Sequence, residues 1–91
     1  MAEITKNPEK SRYELHVDDE LVGFIDFRDV SSSIELPHTE VDPAHGGQGY
    51  AGQLAKFALD DVRAQGKTVV PTCPFIADYI DKHEEYRDLL E

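Results

Sequence analysis

The chain has 91 residues, 40% hydrophobic and 31% charged, with a formal net charge of −10. That length suits one domain rather than two, and no apolar run approaches the roughly 20 residues of a membrane-spanning helix. The negative charge argues against a nucleic-acid-binding domain, which carries a basic surface, and leaves room for a cationic partner.

Residues 1–10 are polar and lack the apolar stretch of a secretory signal, so they read as a flexible end to a single domain spanning 1–91. From Arg12 to Val17 polar and apolar residues alternate, with Tyr13, Leu15 and Val17 on one face of a strand. Asp18-Asp19-Glu20 reads as a tight turn. Leu21 to Phe27 is apolar on both faces, which places it centrally in a sheet, and the polar stretch Arg28 to Ser33 turns the chain again. Ile34 to Val41 is a third strand, or two short ones joined at Pro37, where the missing N–H predicts a break, a bulge or an edge position. Asp42-Pro43-Ala44 ends that element and a glycine-rich turn follows.

The clearest periodicity comes next. Ala51, Leu54, Ala55, Ala58, Leu59 and Val62 form one apolar stripe on a helix. Gln53, Lys56, Asp60, Asp61 and Arg63 cover its opposite face, and Gly66 stands at the expected C-cap. Lys67 to Pro71 is a short fourth strand. Phe75, Ile76, Tyr79 and Ile80 repeat at helical spacing, and Tyr86, Leu89 and Leu90 suggest a final helical turn or two. The order β-β-β-α-β-α predicts a compact α/β domain with antiparallel strands, one crossover helix, a further strand and a C-terminal helix. The strands on either side of the crossover helix are expected to pair in parallel or to splay apart.

Gly46, Gly47 and Gly49 precede the helix, and Gly52 lies in its first turn. Glycine permits positive φ and close approach of a ligand to the backbone. A helix start offers unpaired N–H groups and a partial positive charge. Together they suit a phosphate or pyrophosphate without basic side chains. The Walker pattern is absent, because no Lys-Ser or Lys-Thr follows the glycines. Gly47 to Gly52 matches the dinucleotide fingerprint literally, but it follows an antiparallel run and no acidic residue ends the next strand.

The segment Gly46-Gly47-Gln48-Gly49-Tyr50-Ala51 resembles the acyl-CoA loop, Q/R-x-x-G-x-G/A, of the GCN5-related N-acetyltransferases. More closely, the chain resembles the short GCN5-like acetyltransferase family. The likeness continues in His38-Thr39-Glu40-Val41, in Gly52-Gln53-Leu54, in Val69-Val70-Pro71-Thr72-Cys73-Pro74-Phe75, in Tyr79 and in His83-Glu84-Glu85-Tyr86. The resemblance implies a mixed sheet and acetyl-coenzyme A as the acyl donor. The cofactor-binding residues it implies are Val41, Gly46, Gly47, Gln48, Gly49, Tyr50, Ala51, Gly52 and Cys73, with pantetheine between the splayed strands Ile34–Val41 and Lys67–Pro71. Gly46 departs from the Arg or Gln that the wider superfamily places there, which removes a side chain and keeps the backbone donors. The N-terminal helices that build an acceptor pocket in larger members have no counterpart in the pattern read above.

N-acetyl transfer needs a base for the amine proton and an acid for the departing thiolate. His38, in the β-region near the expected acyl end, suits the base. Tyr79, on the helix after the fourth strand, suits the acid by the same resemblance; packing as a core aromatic is its other use. Cys73 suits either a covalent acetyl carrier or a group lining the thioester site. Lys56, Lys67 and Lys82 are solvated-face lysines with the coenzyme 3′-phosphate as an alternative partner. His16, His45 and His83 have no metal-ligand spacing, so no metal is expected. The expected acceptor is a small-molecule amine or a protein lysine. A cytoplasmic monomer is expected, since a single cysteine allows no internal disulfide, with no nucleic-acid or membrane partner. A coenzyme-binding module without turnover is the competing reading.

Overall fold

The computed structural model describes residues 2–90. The strands are β1 (Ala2–Asn7), β2 (Arg12–Val17), β3 (Glu20–Val30), β4 (Ser33–Val41) and β5 (Thr68–Val70). The helices are α1 (Tyr50–Ala64) and α2 (Pro74–Lys82), with short 3₁₀ helices at Pro43–His45 and Glu84–Leu89. The strands form one mixed sheet in the order β1-β2-β3-β4-β5. Every neighbouring pair is antiparallel except β4 with β5, which α1 joins as a crossover. This is the α/β arrangement expected, and among the described residues no helix is long and apolar enough to cross a membrane.

Three elements differ from expectation. The first residues are not a frayed end: Ala2–Asn7 forms an edge strand paired from Ala2↔Val17 to Asn7↔Arg12. An edge strand needs only ladder hydrogen bonds on one side, so its composition carries little apolar signal. Lys6 pins it to α1, with Nζ 2.9 Å from Asp61 Oδ2 and over the Tyr13 and Phe27 rings at 5.8 and 5.1 Å. Second, β3 runs on to Val30, so the turn expected over Arg28–Ser33 shrinks to its tip, where Ser31 has φ 60°. Arg28 pairs with Glu35 at 3.5 Å and Asp29 with Lys67 at 2.6 Å, which lets a polar stretch remain in the ladder. Third, Asp61 is not on a solvated face. It accepts from Lys6, from Tyr13 Oη at 2.7 Å and from Gln65 Nε2 at 2.8 Å, joining β1, β2 and α1. Burial raises its pKa, but these donors outweigh it and hold the carboxyl below its usual range.

The apolar stripe of α1 buries Leu54, Ala55, Ala58, Leu59 and Val62. They pack with Tyr13, Leu15, Ile25, Ile34, Leu36, Ile76 and Ile80 in one core. Gln65 caps α1, and Gly66 follows at φ 68°. Lys67 N–H donates to Val62 O and Gly66 N–H to Arg63 O, the paired bonds of a Schellman ending. Tyr86 on the last 3₁₀ helix donates to Asp60 Oδ1 at 2.7 Å, fastening the chain's end to α1.

Candidate functional site

Pro37 decides the geometry of the site. β4 passes through it unbroken, but with a bulge. Between Asp26↔His38 and Arg28↔Glu35, β3 advances two residues while β4 advances three. Ile34 and Leu36 face the core before the bulge; after it the phase shifts by one residue. Thr39 then stands opposite buried Ile25, and His38 opposite Asp26 on the other face.

Beyond the bulge β4 has lost its outer neighbour. The parallel ladder holds only Ser33↔Thr68, Ile34↔Val69 and Glu35↔Val70. There β5 ends while β4 runs on to Val41, which leaves a gap beside β4; of the two alternatives expected for this pair, the ladder shows parallel pairing. Cys73 N–H donates to Leu36 O at 3.0 Å and closes the foot of the gap. Above it, β4 from Pro37 to Val41 leaves its β5-facing edge without a strand partner among the described residues. Val41, half-buried and paired with Gly23, ends that free edge.

The glycine turn lies at the head of the gap. Asp42 Oδ1 accepts from Ala44 N–H at 2.9 Å and starts the Pro43–His45 turn. Gly46 is extended at φ −65°, whereas Gly47 and Gly49 take φ 79° and 76°. A Cβ at either of the latter would meet nothing within 4 Å, so backbone conformation, not space, demands glycine there. Gly49 N-caps α1 with no side-chain cap, and no acidic residue occupies the first turn. The first intrahelical bond is Gln53 N–H to Gly49 O, so Tyr50, Ala51 and Gly52 present amides with no intrahelical acceptor. Gln48 is exposed, while Tyr50 and Ala51 are half-buried. Gly52 faces α2, its Cβ direction 3.9 Å from the Tyr79 ring.

Cys73 caps the N-terminus of α2 and is buried, with Sγ 3.5 Å from Thr39 Oγ1. Burial pushes its thiol pKa up, but the Thr39 hydroxyl and the amides of Ile76, Phe75 and Thr39 outweigh it, so the pKa is lowered. Thr39 is the residue that sequence reasoning missed. Only the bulge turns it toward Cys73; its position two residues before Val41 was the one signal of a shared face. Tyr79 is half-buried and stacks on His83 at 3.9 Å, and burial raises its pKa, so its hydroxyl is protonated at neutral pH. That hydroxyl has no hydrogen-bond partner among the described residues.

His38 is not brought to Cys73. Its ring is exposed, with Nε2 3.3 Å from Glu40 Oε1 and the centroid 6.0 Å from that of Phe24. The bulge faces Thr39 inward and His38 outward, so the histidine expected near the acyl end does not stand beside Cys73. The lysines considered for a 3′-phosphate all have carboxylate partners: Lys56 with Asp60 at 2.9 Å, Lys67 with Asp29 at 2.6 Å and Lys82 with Asp78 at 3.0 Å.

A family model described as GCN5-related N-acetyl-transferase matches residues 12–89. Protein NATD1 of Gallus gallus is 40% identical over 50 residues, which are 55% of this chain and 46% of that protein. The chain thus spans about half the length of the curated relatives it matches. A GCN5-like protein from Staphylococcus aureus superposes with a TM-score of 0.76 at 23% identity, over 98% of this chain and 87% of that one. N-acetylglutamate synthase from Neisseria gonorrhoeae, complexed with coenzyme A and N-acetyl-glutamate, gives 0.66 at 15% identity, over 86% of this chain and 22% of that one.

Proposed function

The chain belongs to the GCN5-related N-acetyltransferases, and from that membership we propose that it binds acetyl-coenzyme A and transfers the acetyl group to an amine. The observation that carries this reading is the alignment of three features. A positive-φ glycine turn opens an uncapped helix, the free edge of β4 runs down from it, and Cys73 closes the gap below. The amides of Gly47 to Ala51 receive the pyrophosphate by backbone donors alone. The edge of β4 from Pro37 to Val41 offers backbone partners to the pantetheine amides. The thioester then lies near Thr39 and Cys73.

Two routes use these residues. In the direct one, the neutral amine attacks the thioester carbonyl, Tyr79 gives its proton to the departing thiolate, and a base takes the proton from nitrogen. His38 serves as that base for an acceptor approaching from the outward face of β4. In the second route the Cys73 thiolate attacks the thioester carbonyl, coenzyme A leaves as its thiolate, and the amine then displaces Cys73 to take the acetyl group. The lowered thiol pKa and the neighbouring Thr39 hydroxyl favour a thiolate there. The outward placement of His38 favours the competing reading, a coenzyme-binding module without turnover.

Backbone-amide NMR during titration with acetyl-coenzyme A tests the cofactor site. Shifts concentrated at Gly47–Ala51, Thr39 and Cys73 are expected. Gly49→Val, which forces a β-branched residue to φ 76°, is expected to remain folded and to lose those shifts. No shifts at millimolar ligand, or normal shifts in Gly49→Val, would overturn the loop assignment. Incubation with a panel of amines then separates enzyme from binder by acetyl-amine formation.

A further inference from the structure

Three side chains that acetyl transfer leaves unused converge beside the glycine turn. Glu20 begins β3, Asp42 follows β4, and His45 ends the 3₁₀ turn immediately before Gly46. One donor atom from each lies within 4.8 Å of the other two. The histidines alone lacked a metal-like spacing; Asp42 stands three residues before His45 at the start of the same turn, and Glu20 comes from the β2–β3 hairpin. Asp42 is held in place, its N–H donating to Val22 O at 2.7 Å and its Oδ1 accepting from Ala44.

Among the described residues, neither Glu20 nor Asp42 has a lysine or arginine partner within ion-pair distance. Two carboxylates brought together without a counter-charge, in a chain of net charge −10, repel. A divalent cation between them removes that repulsion. One imidazole with two carboxylates is a donor set taken by zinc and its first-row neighbours; calcium and magnesium take oxygen alone. Bonds of about 2.1 Å in tetrahedral geometry bring donors to about 3.4 Å apart. Rotation of the exposed Glu20 side chain supplies that closure.

We propose that Glu20, Asp42 and His45 bind a divalent ion of the zinc type, which ties the β2–β3 turn to the glycine loop. The His45 ring lies 6.5 Å from that of Tyr50, the first residue of α1. An ion held there adds positive charge beside the phosphate-binding amides. Ion and acetyl-coenzyme A therefore strengthen each other's binding by the same factor. That coupling rests on the coenzyme reading; the ion site itself does not.

The test starts with the metal alone. Calorimetric titration of the full chain with zinc, and cobalt(II) absorption, are expected to show one ion per chain. His45→Gln at a half-buried position and Glu20→Gln at an exposed one, each checked for folding by circular dichroism, are expected to weaken binding about tenfold or more. His16→Gln, outside the cluster, is expected to leave it unchanged. No saturable binding, or equal affinity in wild type and His45→Gln, would overturn the site. Acetyl-coenzyme A, whose blocked sulfur does not compete for zinc, is then titrated with and without the ion. Tighter coenzyme binding with zinc in wild type, and no difference in His45→Gln, supports the coupling. An unchanged affinity in wild type overturns the coupling and leaves the ion site standing. Complete absence of coenzyme binding counts against the coenzyme reading, while the zinc titration still decides the site.

Discussion

Cys73 shows how far one residue's chemistry depends on its neighbours. A buried thiol is ordinarily less acidic than a free one, yet here the hydrogen-bond contact with the Thr39 hydroxyl and the amides at the start of α2 reverse the sign. Thiolate is the reactive form. The alkylation rate with iodoacetamide should therefore rise through a midpoint below that of an ordinary cysteine. In Thr39→Val, which keeps the shape and removes the hydroxyl, the midpoint should move upward. A wild-type midpoint in the ordinary range of about 8.5, or no movement in Thr39→Val, would contradict the account. The residue types of this site were legible in the sequence, since Cys73, Tyr79 and the glycines all carry chemistry by their identity. Thr39 was not, because a threonine in a strand is commonplace until a bulge points it at a thiol.

At the scale of elements, the two ends of α1 make a controlled comparison. Gly49 before it and Gly66 after it both have positive φ, 76° and 68°, and both would place a Cβ in open space. A Gly66→Ala change should cost about 1 kcal/mol of stability, by chemical denaturation, through backbone strain alone. It should leave acetyl-coenzyme A affinity untouched, unlike Gly49→Val. A loss of affinity in Gly66→Ala would mean that helix position, not loop conformation, governs the site. The apolar face of the helix was legible: its stripe at helical spacing is the set of residues it buries, with only Ala51 left half-exposed. β1 was illegible for the opposite reason. Its sole apolar residues in the described range are Ala2 and Ile4, and what holds it is pairing to β2 and the Lys6–Asp61 bond, neither visible in local pattern.

For the whole molecule, the radius of gyration is 12.4 Å, close to the value of about 12 Å for one compact body of this length. On the proposed reading, its charge of −10 opposes an anionic coenzyme at a distance, while the loop amides attract phosphate at contact. Raising ionic strength past 0.1 M, where the Debye length is about 10 Å, screens the first effect more than the second. Stopped-flow association of acetyl-coenzyme A should therefore quicken with added salt. A rate that falls steeply with salt would indicate a locally positive approach surface that the lysine–carboxylate pairs around Lys56, Lys67 and Lys82 do not provide.

The sequence by itself determined the order of elements from β2 to α2, the amphipathic helix, the irregularity at Pro37 and the glycine turn. Each depends on residues near one another in the chain: a period, a missing N–H, a run of residues free to take positive φ. Only the tertiary structure decided which way β4 faces beyond its bulge. A one-residue slip against β3 exchanges the two faces of a strand, and nothing local records it. That slip sent His38 outward and Thr39 to Cys73. The meeting of Glu20 with Asp42 and His45 has the same character, because the packing of one hairpin against the next strand's end sets it.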